Sequence, residues 1–278
     1  MNELLSQAVG PLIAIFLVTA MFSLGLDLTL RQIVDSLRDK SLVTKSLLVN
    51  FFLVPLLAVA ITSMIPMHEG LRIGIVVYAI AAGTEGGPKF VQIIGGNTAF
   101  AFGLLVLLLT FTVAVVPLLL PLVVPHVDIS TGALVVKLLL VVALPICVGL
   151  FLNARFQALA ARVSPVAHHL SMFLLYGLFV LLIYVNFQEI AALQTSALLA
   201  GLLLFALAFT AGYLAGGAEL HNRRALGIMT FARNGSISML IAREAFPQDP
   251  QVLMMATIMT VCSVLLVVLI VIAIKRLQ

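Results

Sequence analysis

Two stretches of this chain put charge and helix breakers into the middle of apolar runs. The first is Gly83-Thr84-Glu85-Gly86-Gly87-Pro88-Lys89, flanked by apolar residues 75–82 and 90–94. The second is Thr230-Phe231-Ala232-Arg233-Asn234-Gly235-Ser236-Ile237-Ser238. Pro88 lacks an N–H, glycine loses the most entropy on ordering, and Asn-Gly is a turn dipeptide, so each stretch interrupts a helix. In hydrocarbon, an interrupted backbone persists only where protein or a water-filled cavity satisfies its freed groups. Ionisable residues beside such a break mark a functional site. The candidate substrate-binding residues are Asn50, Thr84, Glu85, Lys89, Arg233, Asn234, Ser236 and Ser238. Two cations, two amides and three hydroxyls suit an anion. Glu85 is the one carboxylate among them and the candidate coupling group, able to carry a proton.

These residues offer binding rather than catalysis. Ser236 and Ser238 have no intramembrane His or Lys at helical spacing to activate them, and no span carries His-Glu-x-x-His. His168 and His169 are adjacent and point to different faces of a helix, so one metal does not easily use both. Cys147 and Cys262 lie in apolar runs and read as small buried hydrophobes. No enzyme activity, metal or cofactor is expected.

The elements that must position these residues are membrane helices. The chain is 63% hydrophobic and 9% charged, with a mean hydropathy of +1.23, which excludes the soluble globular class. The pattern is all-α and polytopic. Nine spans are read at about 9–26, 44–65, 71–94 (broken), 98–124, 131–153, 167–187, 195–215, 224–247 (broken) and 251–274, each near the roughly 20 residues a span needs. The net charge of +4 sits in short loops rather than on one face, which excludes a nucleic-acid surface. The first residues carry Glu3 and no Lys or Arg, so no cleaved signal peptide is expected.

Lys and Arg set the orientation. With the N-terminus outside, the inner segments hold Arg31, Arg38, Lys40, Lys45, Arg155, Arg162, Arg223, Arg224, Lys275 and Arg276, and the outer ones only Arg72 and Arg243. The expected location is the cell (inner) membrane, multi-pass, with a cytoplasmic C-terminus. Between the spans, residues 31–45 read as a cytoplasmic connector and Gly95-Gly96-Asn97 as a tight turn. Pro125-His126 reads as a turn into span five, 186–189 as an outer loop, and His221-Asn222-Arg223-Arg224 as an inner cap for span eight. Thr110 and Thr112 are expected to bond back to their own helix, and Lys137 to snorkel to the outer interface.

Each broken span is followed by one unbroken span, and roughly 150 residues separate the breaks. Spans one to four therefore correspond to spans six to nine, with span five left over. A first repeat of about 9–124 and a second of about 131–274 form one transmembrane domain of four and five spans. The breaks fall in spans of opposite direction, so the repeats are inverted and the broken helices cross near the midplane. The half-helices that start after them point partial positive charge into the crossing.

Several pieces in this order carry a resemblance. They are Met21-Phe22-Ser23-Leu24-Gly25-Leu26, Asn50-Phe51-Phe52-Leu53-Val54-Pro55, the Gly-rich break followed by Gly96-Asn97, Leu144-Pro145-Ile146 with Gly149-Leu150, and Ala225-Leu226 before the Asn234 break. On these the chain resembles the bile acid:sodium symporter family of carriers built from two inverted five-helix repeats, here short of the first helix. The resemblance implies a secondary carrier. It also implies sodium ligands, and most of these are replaced. The family's Glu and Gln of the second break fall on Met229 and Arg233, with Asn234 kept. The Ser/Thr-Asn pair of the first break falls on Gly87-Pro88, the hydroxyls of the following helix on Ala101 and Leu105, and a span-two Gln on Asn50.

Sodium held by hard oxygens does not share space with a guanidinium, because like charges repel. The expected function is therefore secondary transport of a small organic anion by alternating access, coupled to protons or uncoupled rather than sodium-driven. The expected partners are that anion, the lipid bilayer and protons. The alternative is a transport-inactive sensor or partner-binding membrane protein, its core locked by a Glu85–Lys89 or Glu85–Arg233 ion pair.

Overall fold

The computed structural model describes residues 2–36, 38–124, 131–185, 187, 190 and 193–276, and among them there are helices and no strand. The turn expected at Pro125-His126 and most of the loop expected at 186–189 lie outside the described residues.

Helix α1 (Asn2–Asp27) is followed by the short α2 (Leu30–Ser36). The second span is α3 (Lys40–Leu48), a π-helical turn (Val49–Leu53) and α4 (Val54–Met64). The first broken span is α5 (Glu69–Ile80) and α6 (Gly87–Ile93), followed by the unbroken α7 (Thr98–Val123). The fifth span is α8 (Thr131–Leu138), a second π-helical turn (Leu139–Ala143) and α9 (Leu144–Arg155). Then come α10 (Gln157–Val185), α11 (Thr195–Ala215), the broken pair α12 (Leu220–Phe231) and α13 (Gly235–Ala245), and α14 (Pro250–Arg276).

Among the described residues eight helices are long and apolar enough to cross a membrane. The first broken span is the ninth; its halves of 12 and 7 residues are each too short alone. The chain is thus a polytopic all-α membrane protein. The 220–245 segment is the least apolar span, with a mean hydropathy of 1.2, and its residues 225–242 are buried among the others, so the polar residues there need meet no lipid.

Proline places both π turns. Pro55 and Pro145 each follow one by two residues, and the turn shifts the local bonding from i−4 to i−5. The Val54 N–H donates to the Val49 carbonyl, and the Leu144 N–H to that of Leu139.

Glycine sets the closest helix contacts. A Cβ on Gly149 of α9 would lie 2.5 Å from the Phe22 carbonyl oxygen, and one on Gly212 of α11 would lie 2.6 Å from that of Leu226. Helices α1, α9 and α10 pack on one another, while α5 packs on α14 and α12 on α11. The broken spans run antiparallel. The turn after α6 meets the start of α12 through Asn97 N–H to the His221 carbonyl (3.0 Å), Asn97 Nδ2 to Asn222 Oδ1 (2.8 Å) and Arg224 Nη1 to the Ile94 carbonyl (2.9 Å).

Four details differ from the sequence reading. Helix α3 begins at Lys40, capped by Asp39 accepting from the Leu42 N–H, so the connector is shorter than 31–45. Helix α10 starts at Gln157, ten residues early, and runs through Pro165. Cys147 is exposed and Cys262 half-buried, since an apolar residue on a membrane helix can face lipid as readily as protein. Thr110 bonds back to Val106 as expected, but Thr112 reaches across to the first break.

Candidate binding site at the helix crossing

Beyond Ile80 the first broken span leaves three consecutive carbonyls without helical partners, and each finds a donor elsewhere. The Asn234 N–H donates to Ala81 O at 2.8 Å, Thr112 Oγ1 to Ala82 O at 2.9 Å, and Asn234 Nδ2 to Gly83 O at 2.7 Å. Gly83 turns the chain at φ +90, where a side chain would be strained, and its missing Cβ would lie 3.1 Å from Leu108 Cβ. Asn234 also caps α13, its Oδ1 accepting from the Ile237 N–H at 2.9 Å. One fully buried amide thus ends one half-helix, starts another and ties the two breaks together.

Arg233 is 3% exposed and points to the second span. Its Nη1 donates to Asn50 Oδ1 at 2.7 Å and its Nη2 to the Asn50 carbonyl at 3.0 Å. That carbonyl has no donor within its own helix. Its α-helical donor would be the Val54 N–H, which bonds to Val49 instead, and its π-helical donor would be residue 55, a proline. Asn50 spends its own N–H groups on the Ser46 carbonyl (2.8 Å) and Thr230 Oγ1 (3.2 Å). No carboxylate among the described residues lies within ion-pair distance of Arg233. The carbonyl ends of α5 and α12, which both finish at the crossing, supply partial negative charge. Arg233 Nε and the Tyr78 hydroxyl are buried without a hydrogen bond; the phenol sits beside Ser263 and the Arg233 backbone.

Glu85 is half-buried and its Oε1 accepts from Asn234 Nδ2 at 3.3 Å. It pairs with neither Lys89 nor Arg233. Spacing of four residues brings side chains together only on a helix, and α6 begins at Gly87, after Glu85. Lys89 is exposed on α6, with His168 of α10 close enough to feel its charge. Thr84 is half-buried beside Gly87. Ser238 is buried and returns its hydroxyl to the Gly235 carbonyl at 2.7 Å, while Ser236 is buried outside the network.

The crossing therefore joins Asn50, Glu85, Arg233 and Asn234 of the expected set, with Thr84 at its edge. It leaves Lys89 apart, and Ser236 and Ser238 behind. Sequence reasoning missed Thr112, Thr230 and Tyr78. A polar residue in an apolar helix was the available signal for each, but only the fold says which carbonyl it faces.

Met229 fills the space against the first break: a Cβ on Gly87 would lie 2.6 Å from its Sδ. Ala101 and Leu105 are fully buried. Three of the positions that the resemblance assigns to sodium oxygens thus hold a thioether and two hydrocarbons. Among the described residues no group of three His, Cys, Asp or Glu could hold a metal ion. A groove of about 490 Å³ is lined by Phe52, Leu56, Thr62, Arg72 and Leu122 among others, and Phe51 and Pro55 form part of its wall.

Two discontinuous helices crossing antiparallel inside a bundle of spans define a class of membrane carrier folds. Residues 14–193 match the sodium bile acid symporter family, and the chain belongs to that family. The match runs from the second half of α1 past the end of α10 and stops before the second break. A comparison with curated proteins returns no match. The family is one of membrane transporters.

Proposed function

We propose that this chain is a secondary carrier of a small organic anion, working by alternating access at the crossing and without sodium. The carrying observation is Arg233, a buried cation that donates to the two oxygens of Asn50, with no carboxylate among the described residues within ion-pair distance. A fixed positive charge at the junction of two broken helices needs no sodium ion to attract a carboxylate. Arg233, whose buried Nε has no hydrogen-bond partner, recognises the anion, with Thr84 and Lys89 along its approach. Glu85, half-buried with its Oε1 accepting from the Asn234 amide, is the group able to take up a proton as the site changes sides. The expected orientation, N-terminus outside, follows from the basic residues at the end of the bundle where α9 finishes and α10 begins.

Counterflow in proteoliposomes tests the reading. A panel of small carboxylic acids should include at least one with saturable uptake, unchanged when choline replaces sodium. Absence of saturable uptake for every acid, under any ion gradient, would overturn it. Glu85→Gln then separates the two sodium-free modes: a coupled carrier loses its response to a pH gradient, and an uncoupled one keeps its rate.

A further inference from the structure

Helices α1, α9 and α10 form one packed group, and the two broken spans with α4, α7, α11 and α14 form another. On the side of the crossing away from the basic end, α13 closes onto the first group. Lys137 Nζ of α8 meets Glu244 Oε1 near the end of α13 at 2.6 Å. The Arg243 side chain lies over Gly10 of α1, where a Cβ would be 3.7 Å from its Nε. On the basic side the crossing is less covered: Thr84 and Glu85 are half-buried and Lys89 of α6 is exposed, with no partner among the described residues.

We propose that the Lys137–Glu244 ion pair is a gate. Closed, it seals the crossing from the end of the bundle opposite the basic one; broken, it lets the two helix groups separate there. Three features carry this. The pair joins residues far apart in sequence: Glu244 on α13 of the second group, and Lys137 on α8, which runs on through the π-helical turn into α9 of the first. It sits about 9 Å into α8 at 1.5 Å per residue, between that end and the crossing. Its side chains are 39% and 34% exposed, so it is neither buried enough to lock the groups nor wholly given over to solvent. A gate that opens in every cycle needs a bond of this middling kind.

The inference rests on the carrier reading, and its test is independent of any substrate. In a background with Cys147 and Cys262 replaced by serine, Thr84→Cys reports access to the crossing. A membrane-impermeant maleimide is applied separately to each face of oriented vesicles. With the pair intact, labelling should come from the basic face. Glu244→Gln and Lys137→Gln should each raise labelling from the opposite face about fivefold, the shift expected from roughly 1 kcal/mol. The charge swap Lys137→Glu with Glu244→Lys should restore the original pattern, which a variant that merely misfolds would not do. Unchanged labelling in both single variants, or a swap that behaves like the singles, would overturn the gate. A labelling shift without uptake of any acid would keep the gate and remove the carrier reading; uptake with unshifted labelling would do the reverse.

Discussion

Arg233 occupies the place that Pro55 leaves empty. The proline gives the helix no N–H at the one position where the π turn would use it, and the guanidinium, 178 positions along the chain from Pro55, donates to the orphaned Asn50 carbonyl instead. Pro55→Ala should supply the missing N–H and relieve up to about 3 kcal/mol of helix penalty, yet lower transport, because Arg233 loses an acceptor. Thermal unfolding in detergent and uptake, measured together, check this. A variant both more stable and equally active would contradict it.

Arg233→Lys should fall short of its parent. A single ammonium replaces a fork that reaches two oxygens at once, and losing one charge-assisted bond costs about 1.5–3 kcal/mol. Denaturant unfolding in micelles reads the loss. Lysine matching arginine would mean that the charge matters and the geometry does not.

Gly87 and Met229 should be interdependent. Gly87→Ala pushes a methyl to within 2.6 Å of the thioether sulfur and should destabilise by about 1–3 kcal/mol. Met229→Ala should leave room for it, so that the double variant is better than the sum of the singles predicts. Additive effects would show that the contact is not the cause.

Thr112→Val keeps the shape and removes the donor to the Ala82 carbonyl, a loss of about 1–3 kcal/mol, while Thr112→Ser should stay near the parent. Melting temperatures of the pair suffice. Equal loss in both would point to packing rather than the hydroxyl.

Sodium should not stabilise the folded chain. A ligand that binds only the native state raises stability by an amount that grows with its concentration, so melting curves in sodium and in choline should coincide. A sodium-dependent rise would revive the oxygen site that Met229 and Arg233 replace.

The spans, their antiparallel breaks and the convergence of Asn50, Arg233 and Asn234 were legible in the sequence, because helix breakers and charge in apolar runs have few explanations. The partners were not. Glu85 and Lys89 have helical spacing, but the helix begins between them. Thr112 has the composition of a back-bonded threonine, and only the approach of Ala82 turns it outward. Lys137 read as a snorkelling side chain because Glu244, 107 residues later in the chain, carries no local sign that it ends beside it.

The filled carbonyls of Ala81, Ala82 and Gly83 have an evolutionary consequence. With the break's own backbone acceptors spoken for by Asn234 and Thr112, the crossing stands without help from any cargo. Descendants of such a chain can exchange the side chains around it, and with them the passenger, while inheriting the same scaffold intact.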